Sequence, residues 1–572
     1  MMFLPQILSE RMRPVLLCLF AALGTIVIYL FHLQISQSNL FSRLSKRNYL
    51  RTEEIASPRG NITDRNGALL VTNRPLYSLV WEGSGTIFSA DELTALKQLL
   101  FLCKLDERIL PDIQRAEKRS QKYKLVNDIS YKQLSEVLEK APYSKNLVIK
   151  ETYERSYPHN DTACHIIGYL SAKDSLQGKM GLERLYEQDL QGHPGQKLKV
   201  TNAIGNALHA HMVSHALAGK TLQTTLDLTL QQIAEDVFPS AYEGSMIFMD
   251  EGGALEVVLS RPSFDPSIFL KPISHGQWNR LQEKKRFMNC AFSACYPPAS
   301  LFKLVTLTAG LETGIITPQT PWHCKGYTDF KGRHYHCNND TVHGHISTKQ
   351  AFAQSCNQPF YEIGKRISID MLAKYAQELG LGSKTGIVFP EQSGLVPTSQ
   401  WKKRVKNEPW WPGETLSAAI GQSSLLVTPL QIACLLSALC TGYRVRPRIL
   451  TDEPIIPEIL SIRPSTLRYI QECLEGVIIQ GTGSTLASLK GFKLKGKSGT
   501  AQVRSRHTDV IRRKDMPHGY FAAHVQYRNE KPRTLVIFIE HAGSSSNAIR
   551  VAYSFLTRYA EIIDKQSETT SR

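Results

Sequence analysis

The sequence predicts a multidomain chain of mixed α+β and α/β character. One transmembrane helix comes first, then an elongated, mostly β/α pedestal, then a domain in which helices sandwich an antiparallel sheet. Three observations carry this expectation. At 572 residues the chain exceeds a single domain. The run "VLLCLFAALGTIVIYLFHL", Val15 to Leu33, is apolar almost throughout and matches the roughly 20 residues that span a bilayer core. Beyond about residue 226, strand-like sequence stands at both ends of a helical middle, so one sheet must join early and late strands.

The elements follow in order. Residues 1–13 form a short basic tail and 14–34 the anchor. The exit His32-Leu33-Gln34-Ile35 offers no small-x-small cleavage site, so the helix is expected to be retained. Arg11 and Arg13 in front of it predict a cytoplasmic N-terminus with the rest of the chain outside, although Arg43, Lys46, Arg47 and Arg51 follow closely. The pedestal spans 35–225. In it "SPRGNITDRNGALLVTNRPLYSLV" (57–80) reads as a hairpin turning at Asn66-Gly67. A helical insertion near 85–150 places Leu93, Leu96, Leu99 and Leu100 on one face, with "KQLSEVLEKAP" as a second amphipathic helix. A strand pair near 197–226 closes the pedestal.

The large domain spans 226–565. Asp227 caps "LTLQQIAEDVF", and "GSMIFMDEGGALEVVLSRPSFDP" (244–266) gives two strands about a Glu-Gly-Gly turn. Residues 300–480 read as mostly helical. "FKLKGKSGTAQV", "GYFAAHVQY" and "TLVIFIEHAG" then switch to period two and predict three strands, and "AIRVAYSFLTRYAEII" is the closing helix. Residues 566–572 read as a polar tail.

Composition narrows the function. A hydrophobic share of 42% and a charged share of 21% are those of a globular protein. The net charge of +17 suits an anionic membrane surface or an acidic polymer. No helix-turn-helix, RNA-binding aromatic pair or basic block accompanies it, so no nucleic acid is expected as a partner.

The chemistry starts at "CYPPASLFKL" (295–304). Ser300 and Lys303 stand i and i+3 apart, which puts both on one helix face. A buried lysine loses its charge more readily, and its neutral amine can take the serine proton. Pro297 and Pro298 suit entry to a helix N-terminus. Two more elements add weight: Ser355-Cys356-Asn357 at a helix junction, and Lys497-Ser498-Gly499-Thr500 on a predicted strand. Ser-x-x-Lys, Ser-x-Asn and Lys-Thr-Gly together mark serine acyl-transfer enzymes that β-lactams acylate. Ser355 and Asn357 supply a relay hydroxyl and an amide for the substrate. Lys497 attracts a terminal carboxylate, and Gly499 leaves room for a close ligand. Lys384-Thr385-Gly386 matches the third element literally, but it follows a helix end and reads as a loop, so Lys497 is preferred.

Here the chain resembles a known family, the class B penicillin-binding proteins, monofunctional peptidoglycan D,D-transpeptidases. The resemblance rests on "PRGNITDRNGALL", "ERSYPHNDTACHIIGYL", "GLERLYEQDLQG", "GETLSAAIGQSSLLVTPLQIA" and "GKSGTAQ". Within the class it is most similar to penicillin-binding protein 2, the elongation enzyme; the division enzyme is the alternative. Ala299 and Leu301 depart from the family's usual glycine and threonine. The resemblance implies a penicillin-binding transpeptidase fold and a Ser300 acyl-enzyme formed on D-Ala-D-Ala stem pentapeptides. Lys303 is then the base, Ser355 and Asn357 the relay, and Lys497 and Ser498 the carboxylate side. The amides of Ser300 and Thr500 form the oxyanion hole. It also implies acylation by β-lactams, no cofactor for catalysis, a single-pass place in the bacterial inner membrane, and a periplasmic catalytic domain. A polytopic membrane glycosyltransferase and a cell-elongation complex are the implied partners.

Eleven cysteines are present, an odd number for an exported chain. Cys324, Cys337, His343 and Cys356 make a donor set for a structural zinc ion, with His334, His336 and His345 as alternative ligands. A Cys324–Cys337 disulfide and free thiols are the competing readings. Other classes fit less well. A serine β-lactamase needs no pedestal, a β-lactam sensor needs several spans and an intracellular effector, and a bifunctional synthase needs a pair of glutamates that the pedestal lacks. A scaffold without turnover is separated by D-Ala release.

Overall fold

The computed structural model describes residues 4–140, 146–172, 176–201, 207–283, 285–503 and 513–570. The anchor is a continuous helix, Leu4–Phe31, running into a short π-type turn, His32–Ser36. The stretch Pro14–Ser36 is apolar, fully exposed and long enough to cross a membrane. Among the described residues none of its side chains is buried, as expected of a segment whose solvent is lipid.

The chain divides into two compact units. The first comprises residues 1–59, 73–154 and 191–219; the second comprises 60–72, 155–190 and 220–572. The N-terminal region is therefore discontinuous: two of its segments belong to the same unit as the large domain. The turns at 60–72 and 155–190 bury polar groups within that unit. Asp64 shows how. Its carboxylate accepts from the amides of Asn66 and Ala68, which closes the hairpin at Gly67, and from the amide of Leu228 at the start of α1, Leu228–Val237. Arg155 Nε donates to Glu183 Oε1 at 2.7 Å with both side chains enclosed, and Arg155 also holds the carbonyl of Gly60.

In the first unit, strands Leu50–Ile55, Gly195–Thr201 and Ala207–Ser214 form an antiparallel sheet. The insertion holds helices at Ala90–Leu102, Leu110–Lys118 and Tyr131–Lys140. Leu96, Leu99 and Leu100 face its core with Leu79, Trp81 and Val137. Lys122–Ile129, read as part of a helical stretch, is a strand instead, paired with Tyr77–Glu82. Its Leu125 and Ile129 point into that core while Asn127 and Asp128 stay exposed. Pro142 of the second predicted helix lies outside the described residues.

The second unit is built on one five-stranded antiparallel sheet. Its strands are β1 (Gly244–Asp250), β2 (Leu255–Arg261), β3 (Phe492–Ala501), β4 (His518–Tyr527) and β5 (Arg533–Ile539). Their spatial order is β2-β1-β5-β4-β3, so the early and late strands interleave as expected. β1, β4 and β5 are buried on both faces. One face is covered by α1 and the closing helix α6, Ser546–Thr570, through a cluster that includes Phe248, Phe521, Phe555 and Tyr559. That helix continues through residues 566–570, which composition alone had marked as a tail. The other face packs on the helical layer containing α2 (Lys303–Glu312), α3 (Thr348–Ala353), α4 (Gln358–Arg366) and α5 (Pro464–Gln480). The helical middle is also interrupted by short strands at Pro321–Cys324, Tyr327–Phe330, Arg333–His336 and Gly344–Ser347.

Candidate active site

Ser300 lies not in an α-helix but in a 3-10 turn, Ala299–Phe302, and Lys303 is the first residue of α2. The expected shared face survives this change, because a 3-10 turn of three residues per turn eclipses i and i+3. Ala299, just before the serine, sits at φ +50, a left-handed conformation that costs a non-glycine residue ~1 kcal/mol or more. It is held there by its amide, which donates to the carbonyl of Gly421 at 3.0 Å. Gly421 must be glycine: a β-carbon there would stand 1.9 Å from the carbonyl oxygen of Ala299.

α3 ends at Ala353, and Ser355 follows at φ +55. That reversal aims the Ser355 hydroxyl at Ser300, with its Oγ 3.0 Å from Ser300 Oγ. Lys303 is fully buried, and its Nζ faces four acceptors. They are Ser355 O at 2.8 Å, Asn357 Oδ1 at 2.7 Å, Ser355 Oγ at 3.3 Å and Cys356 O at 3.3 Å. Burial pushes this amine down to about 8, against the weaker pull of the Cys356 and Cys337 thiols. Among these contacts none runs directly to Ser300. The link between Ser300 and the Lys303 amine goes through Ser355. Asn357 is occupied on both sides: its Oδ1 takes the lysine, and its Nδ2 donates to His336 O at 3.1 Å.

β3 is the edge strand of the sheet, and it lies against the Ser300 turn. Lys497 is fully buried. Its Nζ donates to Ser498 O at 3.2 Å and stands over the Phe352 ring, and burial with the neighbouring Lys303 amine drives its pKa well below the usual lysine range. The amine thus lies on the face of β3 that meets Phe352 and the Lys303 amine. Alternation along the strand explains it: 497 and 499 share the inner face, while Ser498 and Thr500 take the other. Gly499 likewise faces inward. A β-carbon there would make ordinary contact with Ala299 Cβ and Leu301 Cγ at 3.5 Å, so the strand packs closely on the Ser300 turn. Ser498 Oγ is 2.6 Å from Thr482 Oγ1, and Thr500 Oγ1 accepts from the amide of Ser545 at 3.3 Å. Lys384-Thr385-Gly386 is a loop whose Thr385 and Gly386 amides bind the Glu391 carboxylate.

The Cys324, Cys337 and Cys356 sulfurs and a His343 ring nitrogen all lie within 4.8 Å of one another. Cys337 Sγ is 3.6 Å from both Cys356 Sγ and His343 Nδ1, and Cys324 Sγ is 3.5 Å from His343 Nδ1. Separations of this size are close to the edges of a tetrahedron with zinc–ligand bonds of about 2.0 to 2.3 Å, and far beyond a disulfide bond; all eleven cysteines are free. His334 and His336 instead pair with Asp329 and Asp340, and the His345 ring lies tilted against that of His323. The cluster is tied to the site: the Asn357 amide donates to Cys337 Sγ at 3.4 Å.

Sequence reasoning missed Gly421 and Thr482. Both stand beside glycines or in short loops far from the motifs they serve, and neither carries a pattern of its own.

Comparison with known proteins adds to this geometry. The family model "Penicillin binding protein transpeptidase domain" matches residues 244–557, and "Penicillin-binding Protein dimerisation domain" matches 54–224. The peptidoglycan D,D-transpeptidase MrdA of Salmonella typhimurium is 28% identical over 96% of this chain and 94% of its own length. That of Escherichia coli is 26% identical over 92% and 90%. Among solved structures, penicillin-binding protein 2 of Helicobacter pylori in complex with MreC superposes with a TM-score of 0.74 at 26% identity, covering 90% of this chain and 99% of that one. A chain described in work on coordination of polymerization and crosslinking by a peptidoglycan synthase complex gives 0.75 at 29% identity, covering 97% and 99%.

Proposed function

The chain belongs to the class B penicillin-binding protein transpeptidases, and from that premise we propose that it cross-links peptidoglycan through an acyl-enzyme on Ser300. The observation that carries this is the hydroxyl relay: Ser355 Oγ lies 3.0 Å from Ser300 Oγ and 3.3 Å from Lys303 Nζ. A neutral lysine keeps two N–H groups, enough for its shortest bonds to Ser355 O and Asn357 Oδ1, and turns its lone pair to Ser355 Oγ. Ser300 attacks the carbonyl between the two terminal D-alanines of a stem pentapeptide. Its proton passes to Ser355 Oγ while the Ser355 proton passes to Lys303. The C–N bond then breaks, the lysine proton returns along the same path to the departing D-alanine, and an ester remains on Ser300. An amine from a neighbouring stem attacks the ester, forms the new amide and restores the serine. A β-lactam acylates the same oxygen by opening its ring.

The MrdA relatives and the complex of penicillin-binding protein 2 with MreC support a role in cell-wall elongation. They also support an MreC-like protein and a glycan polymerase as partners. The apolar helix supports a single-pass anchor in the inner membrane, with the site on the periplasmic side. No cofactor enters the reaction. Cys324, Cys337, His343 and Cys356 fit a structural zinc ion, which supplies rigidity to the Asn357 turn, since four protein ligands leave no position for chemistry. The test is D-Ala release from a pentapeptide and labelling by a fluorescent penicillin. Both are expected in the wild type and absent in Ser300→Ala; turnover in Ser300→Ala would overturn the assignment.

A further inference from the structure

Between α5 and β3 runs the short loop Gly481-Thr482-Gly483, which none of the catalytic motifs includes. Its backbone is clamped on the C-terminal end of α3. The Thr482 amide donates to Ala353 O at 3.2 Å, and a β-carbon at Gly481 would stand 2.3 Å from that same oxygen. Ala353 lies two residues before Ser355. The Thr482 side chain then crosses to the edge strand, where its Oγ1 meets Ser498 Oγ at 2.6 Å. Ser498 is 4% exposed, whereas Thr482 is exposed at the surface.

We infer that Thr482 is a positioning residue for the transpeptidation reaction: it donates its hydroxyl proton to Ser498 and so turns the Ser498 proton toward the ligand's carboxylate. The inference rests on the proposed transpeptidase reading, in which Ser498 stands on the carboxylate side of the site, as the family resemblance implies. A serine hydroxyl has one proton and two lone pairs. If Ser498 donates to a carboxylate, the 2.6 Å bond must run the other way, from Thr482. Such a bond fixes the Ser498 rotor and polarises its O–H, which strengthens the outgoing bond. The same loop, held by Ala353 O, ties that rotor to the segment bearing Ser355. One clamp therefore registers the carboxylate subsite against the relay.

The experiment measures the second-order acylation rate of the full-length chain in membranes, with benzylpenicillin and with its methyl ester. The ester lacks the carboxylate charge. For Thr482→Val the rate with the free acid is expected to fall about tenfold, the scale of one lost hydrogen bond to a charged-ligand network, while the rate with the ester is unchanged. Thr482→Ser restores the wild-type rate, and in a Ser498→Ala background Thr482→Val causes no further loss. Equal losses with acid and ester, additive losses in the double variant, or no loss at all would each overturn the inference. Thr482→Ala replaces the valine variant if that chain fails to fold. If Ser498→Ala alone leaves acylation by the free acid unchanged, the reading of β3 as the carboxylate strand falls instead.

Discussion

The Nζ of Lys303 is bonded to Ser355 through both its carbonyl, at 2.8 Å, and its hydroxyl, at 3.3 Å. One residue therefore fixes the amine in place and connects it to the nucleophile. Ser355→Ala keeps the carbonyl contact and removes only the connection. Acylation by fluorescent penicillin should fall by about 10² to 10⁴, the range for loss of a positioned proton-transfer group, with an unchanged melting temperature. A rate within threefold of wild type would mean that the proton takes another path.

The pH dependence follows from the buried amine. Lys303 is pushed down to about 8, chiefly by burial, and only its neutral form accepts a proton. Acylation should therefore rise with pH up to about 8 and level off above it. Lys303→Arg carries a guanidinium that stays charged across this range, so it should show no such limb and almost no acylation. Stopped-flow measurement from pH 6 to 10 distinguishes the two profiles.

Stability has its own pH window. His165 is buried with its Nε2 at 2.7 Å from Arg286 O, and burial lowers it from 6.5 to about 4. The unfolded chain takes up this proton first. Stability from this group is complete above pH 6.5, is lost as pH falls from there toward about 4, and is lost no further below. The difference amounts to about 3 kcal/mol. Denaturant titrations of wild type and His165→Gln across that window should converge at the acid end.

Removal of metal should loosen the Asn357 turn. A purified chain is expected to carry about one zinc ion, and a strong chelator should lower both its melting temperature and its acylation rate, because a ligand bound only by the folded state stabilises it. Cys356→Ser should mimic the chelator. A metal-free chain with full activity would leave the cluster as three thiols and an imidazole.

Gly421→Ala places a methyl group 1.9 Å from Ala299 O, at a residue whose φ is +79. It should cost about 2 kcal/mol or more and abolish labelling of Ser300 through displacement of the turn. Ala299→Gly, which relaxes the φ of +50, should retain it.

The spacing of the candidate site residues was legible because it follows from backbone geometry. Ser300 and Lys303 align in a 3-10 turn as they would in an α-helix, and Lys497 alternates correctly along a strand. The sheet was legible for the same reason: β1, β4 and β5 are runs of buried apolar residues. What periodicity alone did not reveal was direction and distant support. A strand has two faces, and the motif alone does not say that Lys497 packs beside Phe352 and the Lys303 amine. Lys122–Ile129 hid among charged helical neighbours, and the strands at 321–347 are too short for a pattern to accumulate. The ties made by Asp64 and Arg155 carry no local pattern, because their partners Leu228 and Glu183 lie more than 25 residues away.

β3 leaves one margin of its backbone without a neighbouring strand among the described residues. An open margin templates any extended chain that reaches it, including a second copy of the same protein. The strand answers this unevenly. Lys493 and Lys495 guard its first half, where Lys495 also reaches Gln471 and Glu475 on α5, and like charge there repels a stacked twin. Only the stretch beside the nucleophile stays ungated, so molecules stripped of their membrane tether should begin to self-associate at the very place built to admit a guest.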